Sequence, residues 1–190
     1  MVVAPWILAS AAIVCGAIGL RPDLTDIAWP LIWGATLTFL FAGCGLLVLA
    51  ARATIPGRGP SVGAVSGLLM LVLEAQAGIA AMLHHDHASP VPAGKELSMA
   101  VACLGAITVL GLPTVLLGWH LARKALPTRP LLCGSLIAAG ATVTSEAIWR
   151  RHCPFTDGGH LLVSHLPIYG VLGVAACLLV SRVSGRGRAG

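Results

Sequence analysis

Six stretches of this chain carry almost no charge, at residues 1–20, 27–51, 59–83, 97–119, 130–149 and 161–181. A helix crossing the hydrocarbon core of a bilayer needs roughly 20 apolar residues, with a range of about 17–25. Every stretch meets that length. The sequence therefore predicts an all-α fold, a polytopic membrane bundle of six transmembrane helices over about 2–20, 28–51, 60–83, 97–121, 130–151 and 160–182. These spans form a single domain over 1–190. Only 10% of the residues are charged, against about 25% in a soluble domain, and the mean hydropathy is +0.90. Lipid is the solvent this composition suits.

The punctuation agrees. RPD at 21–23, PGRGP at 56–60, SPVPAGK at 89–95, PTRP at 127–130 and CPFTDGG at 153–159 all hold turn formers. No connection exceeds about 15 residues, which leaves no room for a folded domain outside the membrane. The first stretch, MVVAPWILASAAIVCGAIGL, lacks the positive start of a signal peptide, and its apolar run is too long for one. Pro5 and Trp6 suit a helix starting at the membrane interface, so the stretch reads as a retained helix.

Lys and Arg concentrate in cytoplasmic loops. Arg52 and Arg58 fall in the second connection, Arg123, Lys124 and Arg129 in the fourth, and Arg182, Arg186 and Arg188 in the tail. The opposite side holds Arg21, Lys95, Arg150 and Arg151. The bias places both termini in the cytoplasm, with Arg150 and Arg151 as the exception. The net charge of +5 is spread over these short clusters, so it orients helices and does not indicate direct contact with nucleic acid.

This layout sorts the reactive side chains. His84, His85 and His87 lie in the third connection, His152, Cys153 and His160 in the fifth, and His165 about one turn into the last span, all at the outer face. Imidazole and thiolate suit zinc, copper and similar ions, so these residues are candidate ligands for a transition-metal signal. Solvated loop histidines are the plainer reading, because no standard closed zinc spacing is present. His160 and His165 sit about 140° apart around a helix, which predicts a poor ligand pair. Cys44, Cys133 and Cys177 fall in the inner halves of their helices and read as small packing hydrophobes. Cys103 and Cys153 lie toward the outer side, where an oxidising compartment gives thiols a redox fate. Bringing them together requires the fifth connection to dip inward.

Two acids fall inside predicted spans. Glu74 lies near the middle of its span, where an acid costs about 2.5–3.5 kcal/mol, so the sequence predicts that it faces the bundle interior. Its role is either functional or that of a protonated hydrogen-bonding group. Glu146 precedes Arg150 by four residues, the favourable order for a helical ion pair.

GLRPDL (19–24), CLGAITVLGLP (103–113), LPTRPLLCGSLIAAG (126–140) and HCP followed by HLLVSHLP (152–167) occur in an order and spacing that resembles the negative regulator of sigma F family. The resemblance covers nearly the whole chain from Gly19 onward. It implies a six-helix inner-membrane regulator, not an enzyme, that holds a cytoplasmic sigma factor and releases it under metal or redox stress. Cys103 and Cys153 match the family's two cysteine positions and inherit the sensor role. Arg52, Arg58, Arg123, Lys124, Arg129 and Arg182 become the candidate partner-facing residues. Family members usually begin with a polar cytoplasmic segment, whereas here the apolar run starts at Val2. Three readings follow: a start upstream, sigma binding by the basic inner loops and tail, or loss of that role. The turn after HCP is also less acidic than usual, with only Asp157.

A small transporter using Glu74 and Glu146 for protons, or a quinone-linked thiol oxidoreductase using Cys103 and Cys153, is the alternative. The absence of CxxC weighs against the oxidoreductase, and the absence of paired repeats and of helix breaks beyond Pro113 and Pro167 weighs against the transporter. A topology reporter fused after Gly190 is expected to report from the cytoplasm; a signal from outside the cell inverts the assignment of every loop.

Overall fold

Among the described residues, turn formers and helix starters mark out five helices, named here α1 (Trp29–Ala53), α2 (Val62–Asp86), α3 (Glu96–Ala125), α4 (Pro130–Trp149) and α5 (Gly158–Arg186). The computed structural model describes residues 29–86, 91–125, 127, 129–153, 155 and 158–186, together with Pro5, Ala9, Ala12, Gly16 and Leu20. Pro5, Ala9, Ala12 and Gly16 are helical and Leu20 is not; the rest of the expected 2–20 span lies outside the described residues.

Local chemistry explains where the helices start. The Ser61 hydroxyl accepts the Ala64 N–H at 3.2 Å, capping the open end of α2. Before α3, Gly94 adopts φ +81°, a conformation that favours glycine, and the Lys95 N–H bonds to Pro92 O at 3.0 Å. Glu96 then places a negative charge in the first turn of α3, where the helix dipole favours it. Pro130 occupies the first turn of α4, where its missing N–H leaves no bond unmade.

Helix α4 is the hub. It packs on α1, α3 and α5, α3 also packs on α5, and α2 packs mainly on α1. Most of α4 is buried, including Thr142, Thr144 and Ser145. These hydroxyls turn back on their own helix: Thr142 bonds to Ala138 O at 2.9 Å, Thr144 to Gly140 O at 2.9 Å and Ser145 to Ala141 O at 2.7 Å. A buried hydroxyl satisfied in this way needs no partner on a neighbouring helix.

Small residues let the neighbours come close. A Cβ on Gly43 of α1 would lie 2.5 Å from Thr144 Cγ2 and 3.1 Å from Gly140 O. A Cβ on Gly134 of α4 would lie 2.9 Å from Cys177 Cα and 3.1 Å from Ala176 O, both backbone atoms of α5. Backbone approach at small residues is how apolar helices associate without a hydrophobic drive between them.

Among the described residues, three helices are long and apolar enough to cross a membrane: Trp33–Ala53, Glu96–Ala125 and Pro130–Trp149. The sequence reading predicts six. The apolar parts of α2 and α5 are shorter, Val62–Gly78 and Gly170–Leu179. Both parts stop against side chains that lie outside the described residues, where most of the expected 2–20 span also lies. Glu74, predicted to face the interior, is exposed on α2. Because α2 packs mainly on α1, much of its circumference meets no other described helix.

Successive helices alternate in direction, so the two ends of the bundle differ chemically. Arg52, Arg58, Arg123, Lys124, Arg129 and Arg182 are all exposed at one end. There Cys133 Sγ lies 3.7 Å from Ala50 O and Cys177 Sγ 3.7 Å from Leu131 O. The other end gathers the start of α3, the end of α4 and the start of α5.

Gly134→Ala and Gly43→Ala are expected to lower stability by about 1–3 kcal/mol, the usual penalty of overpacking. Gly105→Ala, with nothing within 4 Å of the added Cβ, is expected to leave it unchanged or raise it slightly. Thermal unfolding in detergent compares the three.

Candidate functional site

Helix α4 ends at Trp149, but its last carbonyl keeps working. The N–H groups of His152 and Cys153 both bond to Trp149 O, at 2.8 and 2.9 Å. These bonds wind the chain through one more turn and carry Cys153 into the protein, where it is 3% exposed. Cys103, one residue beyond the second turn of α3, meets it there: the two sulfurs are 3.6 Å apart. The fifth connection does dip inward.

His160, in the first turn of α5, completes a triangle. Its Nε2 lies 3.4 Å from Cys103 Sγ and 3.5 Å from Cys153 Sγ. Its Nδ1 lies 3.1 Å from the Ser164 hydroxyl, one helical turn on. Phe155 packs edge-on against the same ring, with centroids 5.4 Å apart. His165 approaches from the next turn, its ring centroid 5.7 Å from that of His160. Donor atoms of Cys103, Cys153, His160 and His165 all lie within 4.8 Å of one another, and all four residues are buried. The prediction that His160 and His165 make a poor pair is therefore corrected. The angular argument neglected side-chain reach: two imidazoles about 140° apart can straddle sulfurs that sit between them.

Glu146 lies directly beneath. Its carboxylate is 1% exposed and accepts from the Arg150 guanidinium at 2.7 Å. Oε1 of the same carboxylate lies 3.4 Å from His165 Nδ1. The Arg150 guanidinium also donates to Gln76 Oε1 on α2, and it stacks over Phe39 of α1, 4.7 Å from the ring centroid. Arg151 lies over Trp33, 3.6 Å from that centroid. The two arginines that depart from the charge bias are thus held against protein groups and rings.

The remaining sequence candidates fall elsewhere. His152 stacks on Trp149, with centroids 6.0 Å apart, and is not among the four clustered donors. The side chains of His84 and His85 and the whole of His87 lie outside the described residues. Glu74 is exposed and apart from the cluster. The six basic residues lie at the far end, where Arg123 stacks over Trp119 at 5.2 Å. Sequence reasoning missed Ser164 and Gln76. Each carried a signal: Ser164 stands four residues after His160, and Gln76 is a polar residue in an apolar run.

Two reactions are open to this cluster. A peroxide can take two electrons and two protons from the thiols, leaving a disulfide and water, after the sulfurs close by about 1.5 Å. Alternatively, the four donors can ligate a metal ion.

An all-helical bundle with membrane-length apolar helices suits association with a membrane, and the described residues bury a thiol–imidazole cluster at one end of it. The chain belongs to the negative regulator of sigma F family (NrsF), whose model matches residues 1–186. It is similar to the anti-sigma-F factor NrsF of Caulobacter vibrioides (strain NA1000 / CB15N), 29% identical over 187 residues, covering 94% of this chain and 82% of that protein. No solved structure matches. Family membership makes this chain a regulator of sigma-factor activity.

Arg150→Met is expected to destabilise the protein by roughly 3 kcal/mol, the low end for a broken buried pair, because His165 still faces the stranded carboxylate. Adding Glu146→Leu is expected to recover most of the loss. A double-mutant cycle on thermal unfolding measures both.

Proposed function

We propose that this protein is a multi-pass inner-membrane anti-sigma factor that holds a sigma factor at its basic cytoplasmic end and releases it when the Cys103–Cys153 pair reacts at the opposite, periplasmic end. The observation that carries the reading is the 3.6 Å approach of two thiols from separate helices, in a chain of this family. A thiophilic metal ion or an oxidant is the signal. Both termini are cytoplasmic in this reading, in keeping with the exposed arginines and lysine at that end.

Helices link the two ends. Helix α3 carries Cys103 near its start and Arg123 and Lys124 at its end; α5 carries His160 near its start and Arg182 in its last turns. Each runs about 30 Å between these groups at 1.5 Å per residue. Drawing Cys103 and Cys153 together, or separating them around an ion, shifts the α4–α5 corner against α3. A rigid helix transmits that shift to its basic end. Exposed Arg52, Arg58, Arg123, Lys124, Arg129 and Arg182 form a surface of one sign, suited to an acidic face of the partner.

Affinity purification of the tagged protein from native membranes tests the reading. A sigma factor is expected in the eluate and is expected to leave it after peroxide or cadmium treatment of the cells. Cys103→Ser and Cys153→Ser are expected to retain it under both treatments. Release unchanged in both variants, or no sigma factor in any eluate, refutes the assignment.

A further inference from the structure

The thiol pair has more around it than a disulfide requires. Disulfide chemistry needs two sulfurs, yet two imidazoles close over them, and each has a partner on its far side. His160 presents Nε2 to both sulfurs and Nδ1 to the Ser164 hydroxyl. His165 presents Nδ1 to Glu146, leaving Nε2 for the cluster. This is the pattern of metal-bound histidine, in which one nitrogen ligates and the other is oriented by an outer oxygen.

Distances agree with a particular geometry. A tetrahedral zinc ion with bonds of about 2.3 Å to sulfur and about 2.05 Å to nitrogen separates its sulfurs by roughly 3.8 Å and each sulfur from a nitrogen by roughly 3.6 Å. Cys103, Cys153 and His160 already form a triangle of 3.6, 3.4 and 3.5 Å. His165 supplies the fourth corner, within 4.8 Å of the others. It is 2% exposed, its Nδ1 faces Glu146 Oε1 at 3.4 Å, and its Nε2 is left to the thiol side of the cluster. An ion on Nε2 fixes the proton on Nδ1, toward the Glu146 carboxylate.

We propose that Cys103, Cys153, His160 and His165 form a closed four-ligand site for one divalent thiophilic ion of the zinc and cadmium class, with Ser164 and Glu146 as positioning residues for the two imidazoles. Two thiolates and two neutral imidazoles balance a divalent charge, so the occupied site is neutral and buries no uncompensated ion. Thiolate and imidazole ligands select against magnesium and calcium, which take oxygen. This inference deepens the preceding reading by naming the ligand of the thiol pair. It rests on that reading for its regulatory meaning and on geometry for the site.

Cobalt(II) titration of the full chain, purified in detergent and kept reduced without oxygen, is the test. One equivalent per chain is expected, with a thiolate-to-cobalt charge-transfer band and the intense visible bands of a tetrahedral centre. Zinc is expected to bleach both; magnesium is expected to change neither. Cys103→Ser and Cys153→Ser are expected to weaken the charge-transfer band. His160→Ala and His165→Ala are expected to keep that band but lose tetrahedral intensity. Glu146→Gln is expected to retain the wild-type spectrum and weaken binding about 10–100-fold, the usual effect of an outer-shell partner. Absence of a thiolate–cobalt band in the wild-type protein overturns the site without reference to any variant. So does a titration unaltered by both histidine changes. Sigma-factor retention measured on the same preparations separates the two ideas: release by peroxide without a cobalt site removes the ion and leaves the anti-sigma reading, whereas a cobalt site in a protein that retains no sigma factor does the reverse.

Discussion

A carboxylate that is 1% exposed sets the terms for this bundle. Glu146 sits on α4, the helix its neighbours surround, and an isolated buried charge there is untenable. Three helices respond. Arg150 provides the counter-charge from one turn further along α4, α5 provides His165, and α2 provides Gln76 to hold the guanidinium in place. Phe39 of α1 covers the guanidinium face. One ionic group therefore ties α1, α2, α4 and α5 at the same level, immediately beneath the thiols.

The rest of α4 is built to avoid needing such help. Its hydroxyls bond within the helix, and its glycines admit neighbouring backbones. Close approach narrows the space at the end of the helix, where the chain continues through Arg150 to Cys153. There Trp149 O receives two N–H groups and turns the chain inward. Cys153 arrives beside Cys103 because the helix end is tight, and the first turn of α5 then lays His160 across both. Reactive groups and structural groups are continuous here. His165 stands beside the cluster and beside Glu146 at once, so it is the side chain that joins the sulfurs to the ionic group.

Much of this was legible in residue order. The helix limits fall within a few residues of the uncharged stretches, because charge and proline mark where an apolar helix ends. The Glu146–Arg150 pair follows from four-residue spacing alone, and the prominence of Cys103 and Cys153 follows from resemblance to the family. Legibility failed where distance along the chain says nothing about distance in space. Glu74 was placed inside by its insertion cost, yet its helix is only partly covered. Arg150 and Arg151 looked like violations of the charge bias because their partners, Gln76, Phe39 and Trp33, are far away in sequence. His160 and His165 were set apart by an angle measured on one helix, when the sulfurs they straddle come from two others.

Composition and spacing alone determined that the chain is helical, rich in membrane-length apolar segments, and divided into basic and thiol-bearing ends, because those properties depend on local hydrophobicity and charge. Tertiary structure decided that two cysteines 50 residues apart touch, that two of the seven histidines join them, and that Glu146 lies beneath. Those facts depend on how α3, α4 and α5 cross, and the crossing is set by side-chain volume at glycines and by one buried charge, which hydrophobic patterning does not encode.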